Sequence, residues 1–367
     1  MALIPSQRRW LFVGLIALLC VPGLAMLFGP YQNISRAENR KLADPPSWSA
    51  GLHQLPRAVD AYLADHFGLR EWMVRAGARI TRNVGGRVDR PMAVEGRDGW
   101  MVLTYGLFTA LGQEFDQPRA ERYGDFVCEL SGRLRAEGAK VVFASPPTSV
   151  SIYPEAAPAS AGESKRPTEY EVIVQRARDC GVPTADLKRT LTAARALGRP
   201  LYRKTDTHWT PLGQVIAFDE IAGLFGRPDW RIDPASLKWV AAPNDTGDLP
   251  RLAGLPPRRE MVEEAPELAL SIPVRQSQIA GLSFSRPEFA PTLYETGRPG
   301  PTVLIVGDSF TQHTFPSLVL RRAGRLAWVH HEQCGFDWRV VRQIKPDYVL
   351  LATTERDLDC KARPKFF

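Results

Sequence analysis

Val303–Thr311 reads Val-Leu-Ile-Val-Gly-Asp-Ser-Phe-Thr, and it limits the folds open to this chain more than any other stretch. Four consecutive apolar, mostly β-branched residues suit a strand buried on both faces, as in a parallel sheet covered by helices. Gly307-Asp308-Ser309 breaks the run, and His313–Arg322 continues with apolar residues at helical spacing (Phe315, Leu318, Val319). Ser309 is therefore expected at a strand-to-helix turn, on the carboxyl edge of the sheet, where open α/β folds place their chemistry. The helix start adds unpaired N–H groups and a positive dipole end, both suited to an oxyanion. The same position also suits a plain N-cap serine, so a nucleophile needs a base elsewhere.

Lys204-Thr205-Asp206-Thr207-His208-Trp209-Thr210 supplies a candidate. A serine hydroxyl becomes a useful nucleophile when an imidazole takes its proton, and a carboxylate must fix the imidazole's tautomer and stabilise its charged form. Asp206, His208 and Ser309 form such a set if the fold brings them together. The plain alternatives are a helix cap for Asp206 and a surface or packed ring for His208.

The rest of the chain reads as an anchored α/β protein. Arg8 and Arg9 precede Trp10–Phe28, an uncharged run long enough to span a bilayer as a helix. Gly23-Leu24-Ala25 resembles a small-x-small cleavage site, so a signal peptide competes with a retained anchor. The expected plan is a cytoplasmic segment over 1–9, a transmembrane anchor over 10–28, and a linker with a membrane-proximal helical segment over 29–75. The α/β domain follows over 76–367, placed outside the cytoplasm. Helical spacing marks Leu55–Val84, Asp116–Ala136, Ile173–Arg178, Leu212–Phe225 and Trp338–Ile344, and short apolar strands mark Lys140–Ala144, Leu326–His330 and Tyr348–Ala352. Residues 227–300, rich in Pro, Gly and short alternating runs such as Leu268–Val274 and Leu282–Phe284, read as a β-rich insertion.

The formal charge is +7. A basic surface suits an acidic polysaccharide, membrane headgroups or nucleic acid, and it also follows from an arginine-rich composition alone. No Lys/Arg block, zinc-finger spacing or aromatic RNA-binding motif supports nucleic acid. Cys128, Cys180, Cys334 and Cys360 allow two disulfides with three pairings in an oxidising compartment, or four buried thiols. Cys128 with Cys180 would tie two helices, and Cys334 with Cys360 the C-terminal helix and strand. Without a Cys-x-x-Cys no zinc or redox site is expected.

Several segments agree with one family. They are the N-terminal anchor, Glu38-Asn39-Arg40-Lys41-Leu42, Asp65-His66-Phe67, Gly96-Arg97-Asp98-Gly99-Trp100 and Ile152-Tyr153-Pro154-Glu155. They continue with Asp206-Thr207-His208-Trp209, Gly247-Asp248-Leu249, Gly307-Asp308-Ser309-Phe310 and Glu355-Arg356. Together they resemble the periplasmic SGNH-hydrolase-like O-acetyltransferases of the alginate type, which decorate bacterial exopolysaccharides. The resemblance implies a parallel sheet flanked by helices, Ser309 as nucleophile, His208 as general base and Asp206 as its orienting carboxylate. It implies an acyl-serine intermediate, no cofactor, a multi-spanning membrane acyltransferase as acetyl donor, a polysaccharide acceptor, and a single-pass inner-membrane anchor with the catalytic domain in the periplasm. Thr148 stands where relatives often carry a lysine. The appended carbohydrate-binding module of some relatives has no room, so the smaller single-domain members match better.

The residues around this set suggest further roles. The Ser309 N–H is the first oxyanion donor, and Asp308 is expected to form the turn. Trp209 and Tyr153 could form a stacking floor for a sugar ring, whereas Trp100 is expected in the core. Arg356 could hold an anionic sugar carboxylate or pair with Glu355 or Asp357. Competing readings are an extracytoplasmic acetylesterase, a non-catalytic scaffold in polysaccharide export, and a metal-dependent hydrolase built on Asp206, His208, Asp308 and His313.

Overall fold

A computed structural model of the protein describes residues 20–21, 23–26, 34–35, 40–47, 55–70, 73, 91–241, 246–258, 264–284, 286–360 and 365–366. The chain divides into two compact units, 1–92 with 251–256 and 93–250 with 257–367. In the first, a helix covers Leu55–His66, and the remainder of the expected Leu55–Val84 helix lies largely outside the described residues. Most of the expected 10–28 span also lies outside them. Among the described residues no helix is long and apolar enough to cross a membrane.

The second unit is a three-layer α/β/α sandwich. It opens with a hairpin of β1 (Ala93–Glu95) and β2 (Met101–Leu103), then α1 (Thr104–Ala110). The sheet proper uses β3 (Lys140–Phe143), β4 (Arg275–Gln278), β5 (Thr292–Glu295), β6 (Thr302–Gly307), β7 (Arg325–His330) and β8 (Tyr348–Ala352), in the order β3-β8-β6-β7-β5-β4. The first four of that order run parallel, and β5 and β4 are antiparallel. The sheet is thus mixed rather than wholly parallel, because the 227–300 excursion lays β5 antiparallel beside β7 and β4 antiparallel beside β5.

Alternation explains the layers. Side chains of successive strand residues point to opposite faces. Val303, Ile305, Leu326, Trp328 and Leu350 share one core with α4 (Leu187–Ala194), α5 (Pro211–Leu224) and α6 (Phe315–Leu320). Leu304, Val306, Ala327, Val349 and Leu351 share the other with α2 (Gln117–Ala136), α3 (Glu169–Asp179) and α7 (Arg339–Ile344). All six residues of β6 are buried, as a strand covered on both faces requires. Asp116 caps α2 by accepting from the Arg119 N–H, and Thr168 with Glu171 forms a capping box on α3.

The insertion departs from expectation in detail. Neither Leu268–Val274 nor Leu282–Phe284 is a strand. Leu268 is buried in the core while Pro273 lacks a ladder donor, and the polar, exposed Arg275–Gln278 forms the edge strand instead. Four of the described cysteines form Cys128–Cys180, with Cα atoms 6.0 Å apart between α2 and the end of α3, and Cys334–Cys360, with Cα atoms 5.1 Å apart, while Cys20 is free.

Candidate active site

The parallel strands deliver their carboxyl ends to one edge, and the loops there carry the site. β6 leads into Asp308 and a single 3₁₀ turn, Ser309–Thr311. The following α-helix begins only at Phe315, later than the His313 start its apolar spacing suggested. Asp308 holds the turn. Its Oδ1 accepts from the Phe310 N–H at 2.9 Å, and its Oδ2 accepts from the Thr354 N–H beyond β8 at 2.8 Å. The Asp308 carboxyl is therefore a buried brace. Burial would push it up, but His331, Arg356 and the Thr354 N–H outweigh that and hold it below the usual carboxylate range. The Ser309 N–H donates to no protein acceptor among the described residues.

The second loop is pinned at its base by the antiparallel bridge between Tyr202 and Trp209 and by the Thr210 N–H to Leu201 O bond. The two-residue spacing of Asp206 and His208 lets one carboxylate oxygen serve both ends of the histidine. Asp206 Oδ1 accepts from the His208 backbone N–H at 2.9 Å and lies 2.6 Å from His208 Nδ1. His208 Nε2 lies 2.9 Å from Ser309 Oγ. The three side chains form one hydrogen-bonded series, carboxylate to imidazole to hydroxyl, across 101 residues of sequence.

Burial would raise the Asp206 carboxyl. The hydrogen bond and charge of His208, its backbone N–H and Arg203 more than offset this and bring it down to about 2. A carboxyl lowered on folding stabilises the native state above its unfolded pKa, and that contribution is lost as pH falls from about 4 toward 2. Its size is about 2 kcal/mol. In melting curves across that window, Asp206→Asn should lose stability less steeply than the unmodified protein.

The other expected site residues fare differently. Trp209 is 2% exposed. Its Nε1–H donates to Phe310 O, and its ring stacks on Phe315 with centroids 5.8 Å apart, so it belongs to the core and offers no stacking floor. What it does is tie the histidine loop to the serine turn. Tyr153 packs against Trp100 and lies under the Arg195 guanidinium, and its hydroxyl accepts from the Leu201 N–H. No hydrogen bond or ring contact joins it to Ser309, His208 or Asp206. Trp100 is buried, as expected.

Arg356 sits over the Phe310 ring, beside the serine turn, pairs with Asp357 at 3.3 Å and donates from Nε to Tyr105 Oη at 3.1 Å. Glu355 does not pair with Arg356. It accepts from the Thr148 N–H at 2.8 Å and from the Thr148 and Ser151 hydroxyls, with Lys188 Nζ 3.7 Å away. Arg356, Gly106, Thr148 and Thr207 are among the residues lining a narrow cavity of about 20 Å³. Tyr105 and Asp248 are the participants that sequence reasoning missed. Only the Gly247-Asp248-Leu249 segment gave a signal.

Two groups bring three ligand-type atoms within 4.8 Å of one another, Asp206 with His208 and Asp248, and Asp308 with His331 and Asp357. In the first, both carboxylates already accept from protein donors; in the second, Asp308 does so and Asp357 pairs with Arg356. Exposed His313 belongs to neither, so the set Asp206, His208, Asp308 and His313 is not gathered at one point.

Comparisons with known proteins converge. A family model described as SGNH hydrolase-like domain, acetyltransferase AlgX, matches residues 93–325. The probable alginate O-acetylase AlgJ of Pseudomonas fluorescens is 31% identical over 166 residues, which is 45% of this chain and 41% of that protein. Its counterpart in Pseudomonas aeruginosa is 31% identical over 125 residues, 34% of this chain and 30% of that one. The chain thus spans less than half the length of these relatives. Among solved structures, Bacillus cereus PatB1 with a sulfonyl adduct superposes with a TM-score of 0.50 at 14% identity, covering 71% of this chain and 93% of the other. That likeness concerns the fold.

Proposed function

Because the chain belongs to the SGNH hydrolase-like acetyltransferase family typified by AlgX, we propose that it transfers acetyl groups to hydroxyls of a bacterial exopolysaccharide through an acyl-Ser309 intermediate. The observation that carries this reading is the unbroken series Asp206–His208–Ser309, with contacts of 2.6 and 2.9 Å. Ser309 Oγ attacks the donor's acetyl carbonyl while His208 Nε2 takes its proton and Asp206 steadies the imidazolium. The Ser309 N–H stabilises the oxyanion. Collapse expels the donor's leaving group, which takes the proton back from His208. A sugar hydroxyl then attacks the acyl-serine, gives its proton to His208, and leaves as the acetyl ester while Ser309 recovers its hydroxyl.

The relatives' names point to alginate, an acidic polymer, and Arg356 beside the serine turn suits a sugar carboxylate. The apolar run at 10–28 suits an inner-membrane anchor, and two disulfides suit the periplasm. A chain held there would draw acetyl from a multi-spanning membrane acyltransferase rather than from a cytoplasmic pool.

The test uses the purified protein and an activated acetyl ester. Intact mass and peptide mapping should find one acetyl group on Ser309, discharged faster by an acidic oligosaccharide than by water. Discharge by water alone, indifferent to added oligosaccharide, would replace transfer with ester hydrolysis.

A further inference from the structure

Asp248 opens a short helix (Asp248–Leu252) and meets the histidine loop at three points. Its Oδ1 accepts from the Thr207 N–H at 2.9 Å, its Oδ2 accepts from Thr207 Oγ1 at 2.8 Å, and its own N–H donates to Asp206 Oδ2 at 3.2 Å. The Leu249 N–H adds a bond to Thr205 O at 3.1 Å. Gly247 permits this approach, since a Cβ there would stand 1.9 Å from Thr205 O and 2.8 Å from the Asp206 nitrogen.

These contacts fix what Asp206 alone cannot. Asp206 Oδ1 is committed to His208, but a carboxylate turns easily about its last bond. The Asp248 N–H, by holding Oδ2, stops that turn. The Thr207 hydroxyl donates to the Asp248 carboxylate, so the lone pairs of Thr207 Oγ1 face His208 Nδ1, 3.3 Å away. The titratable and charged groups around the imidazole are Asp206 and Asp248 from the two loops and His313 from beyond the serine turn, with Arg203 beside Asp206 and Arg356 near Asp248. Asp248 is thus the second anion facing the imidazole, and it is present when the ring takes up the serine proton.

We propose that Asp248 is a positioning residue for acyl transfer, clamping Asp206 and Thr207 so that His208 keeps one tautomer and its imidazolium meets two carboxylates instead of one. The inference rests on Ser309 being the nucleophile and His208 its base. Asp248 touches neither ester nor sugar in this scheme, so it affects the chemical step and leaves ester binding alone.

The experiment follows acylation of the full-length protein by an aryl acetate as a function of pH, with thermal melting alongside. Asp248→Asn keeps an acceptor for the Thr207 N–H and loses the charge. Its acylation rate at neutral pH should fall about 10- to 100-fold, with KM for the ester unchanged. The acid limb of its pH–rate profile should move to lower pH, since one anion opposing loss of the imidazole proton is gone. Asp248→Ala, which also frees Thr207, should fall further. An unmoved acid limb in Asp248→Asn overturns the inference, whether the rate is normal or lowered together with the melting temperature. Ser309→Ala separates this from the underlying reading. If that variant is still acylated, the nucleophile itself is misassigned, whereas an inert Ser309→Ala beside a normal Asp248→Asn removes only the role given to Asp248.

Discussion

Ser309→Ala is expected to lower acyl transfer from an activated ester by roughly 10⁴- to 10⁶-fold and to leave no acetylated protein by mass. In the proposed mechanism Oγ is the atom that forms the covalent bond, and among the described residues no other hydroxyl is bonded to His208 Nε2. His208→Ala should cost about as much, because an unactivated hydroxyl has almost no nucleophilic fraction near neutrality. The double variant should be little worse than either single one, since the two groups act as a unit. Independent, multiplying losses would mean that His208 acts elsewhere, and full acylation of His208→Ala would unseat it as the base. Neither variant should unfold the protein, because Ser309 and His208 are both partly exposed.

The largest stability effect should come from Glu355→Ala. Glu355 is 1% exposed and satisfies the Thr148 N–H and two hydroxyls, while Lys188 from α4 supplies the neighbouring cation. Lys188 Nζ is buried without a hydrogen-bond acceptor, so its charge depends on that carboxylate. Deleting one member of a buried pair costs about 3–5 kcal/mol, whereas replacing both by apolar groups is often close to neutral. Urea unfolding should therefore place Glu355→Ala about 3–5 kcal/mol below the unmodified protein. Glu355→Gln combined with Lys188→Met should recover much of the loss. If the double variant is no better than Glu355→Ala, the ion pair is not the source. The network also explains Thr148. The chain turns the Thr148 amide and hydroxyl onto Glu355 and brings the cation from α4.

Much of this was legible in the sequence, for reasons that differ by residue. β6 was legible because burial on both faces demands an unbroken apolar run, and Ser309 because a strand of that kind must end at the chemical edge of a sheet. Asp206 and His208 were legible as a pair because their contact is local, made within one turn of chain. Asp248 carried no such signal, since its partners lie 41 and 42 residues away with no periodicity to link them. Trp209 misled because an indole beside a candidate histidine reads the same whether it faces a ligand or the core. The edge strand Arg275–Gln278 was missed because it is exposed throughout, so no apolar alternation marks it. Both disulfides were among the pairings allowed, but choosing them needed the packing of α2 against α3 and the pairing of Lys365–Phe366 with Gly335–Phe336.

The order of strands in the sheet bears on how the protein comes to be made. β3 finds its strand partner in β8, with Lys140 beside Tyr348 and Phe143 beside Leu351. More than half the chain must be synthesised between these neighbours, and pairings of such range form slowly. During synthesis the apolar face of β3 waits beside α2 and α3 with its sheet edge open, a state prone to association with other chains. The nascent chain would therefore need shielding until the last strand emerges. A product truncated before Tyr348 would lose not one edge strand but the member that lies between β3 and β6.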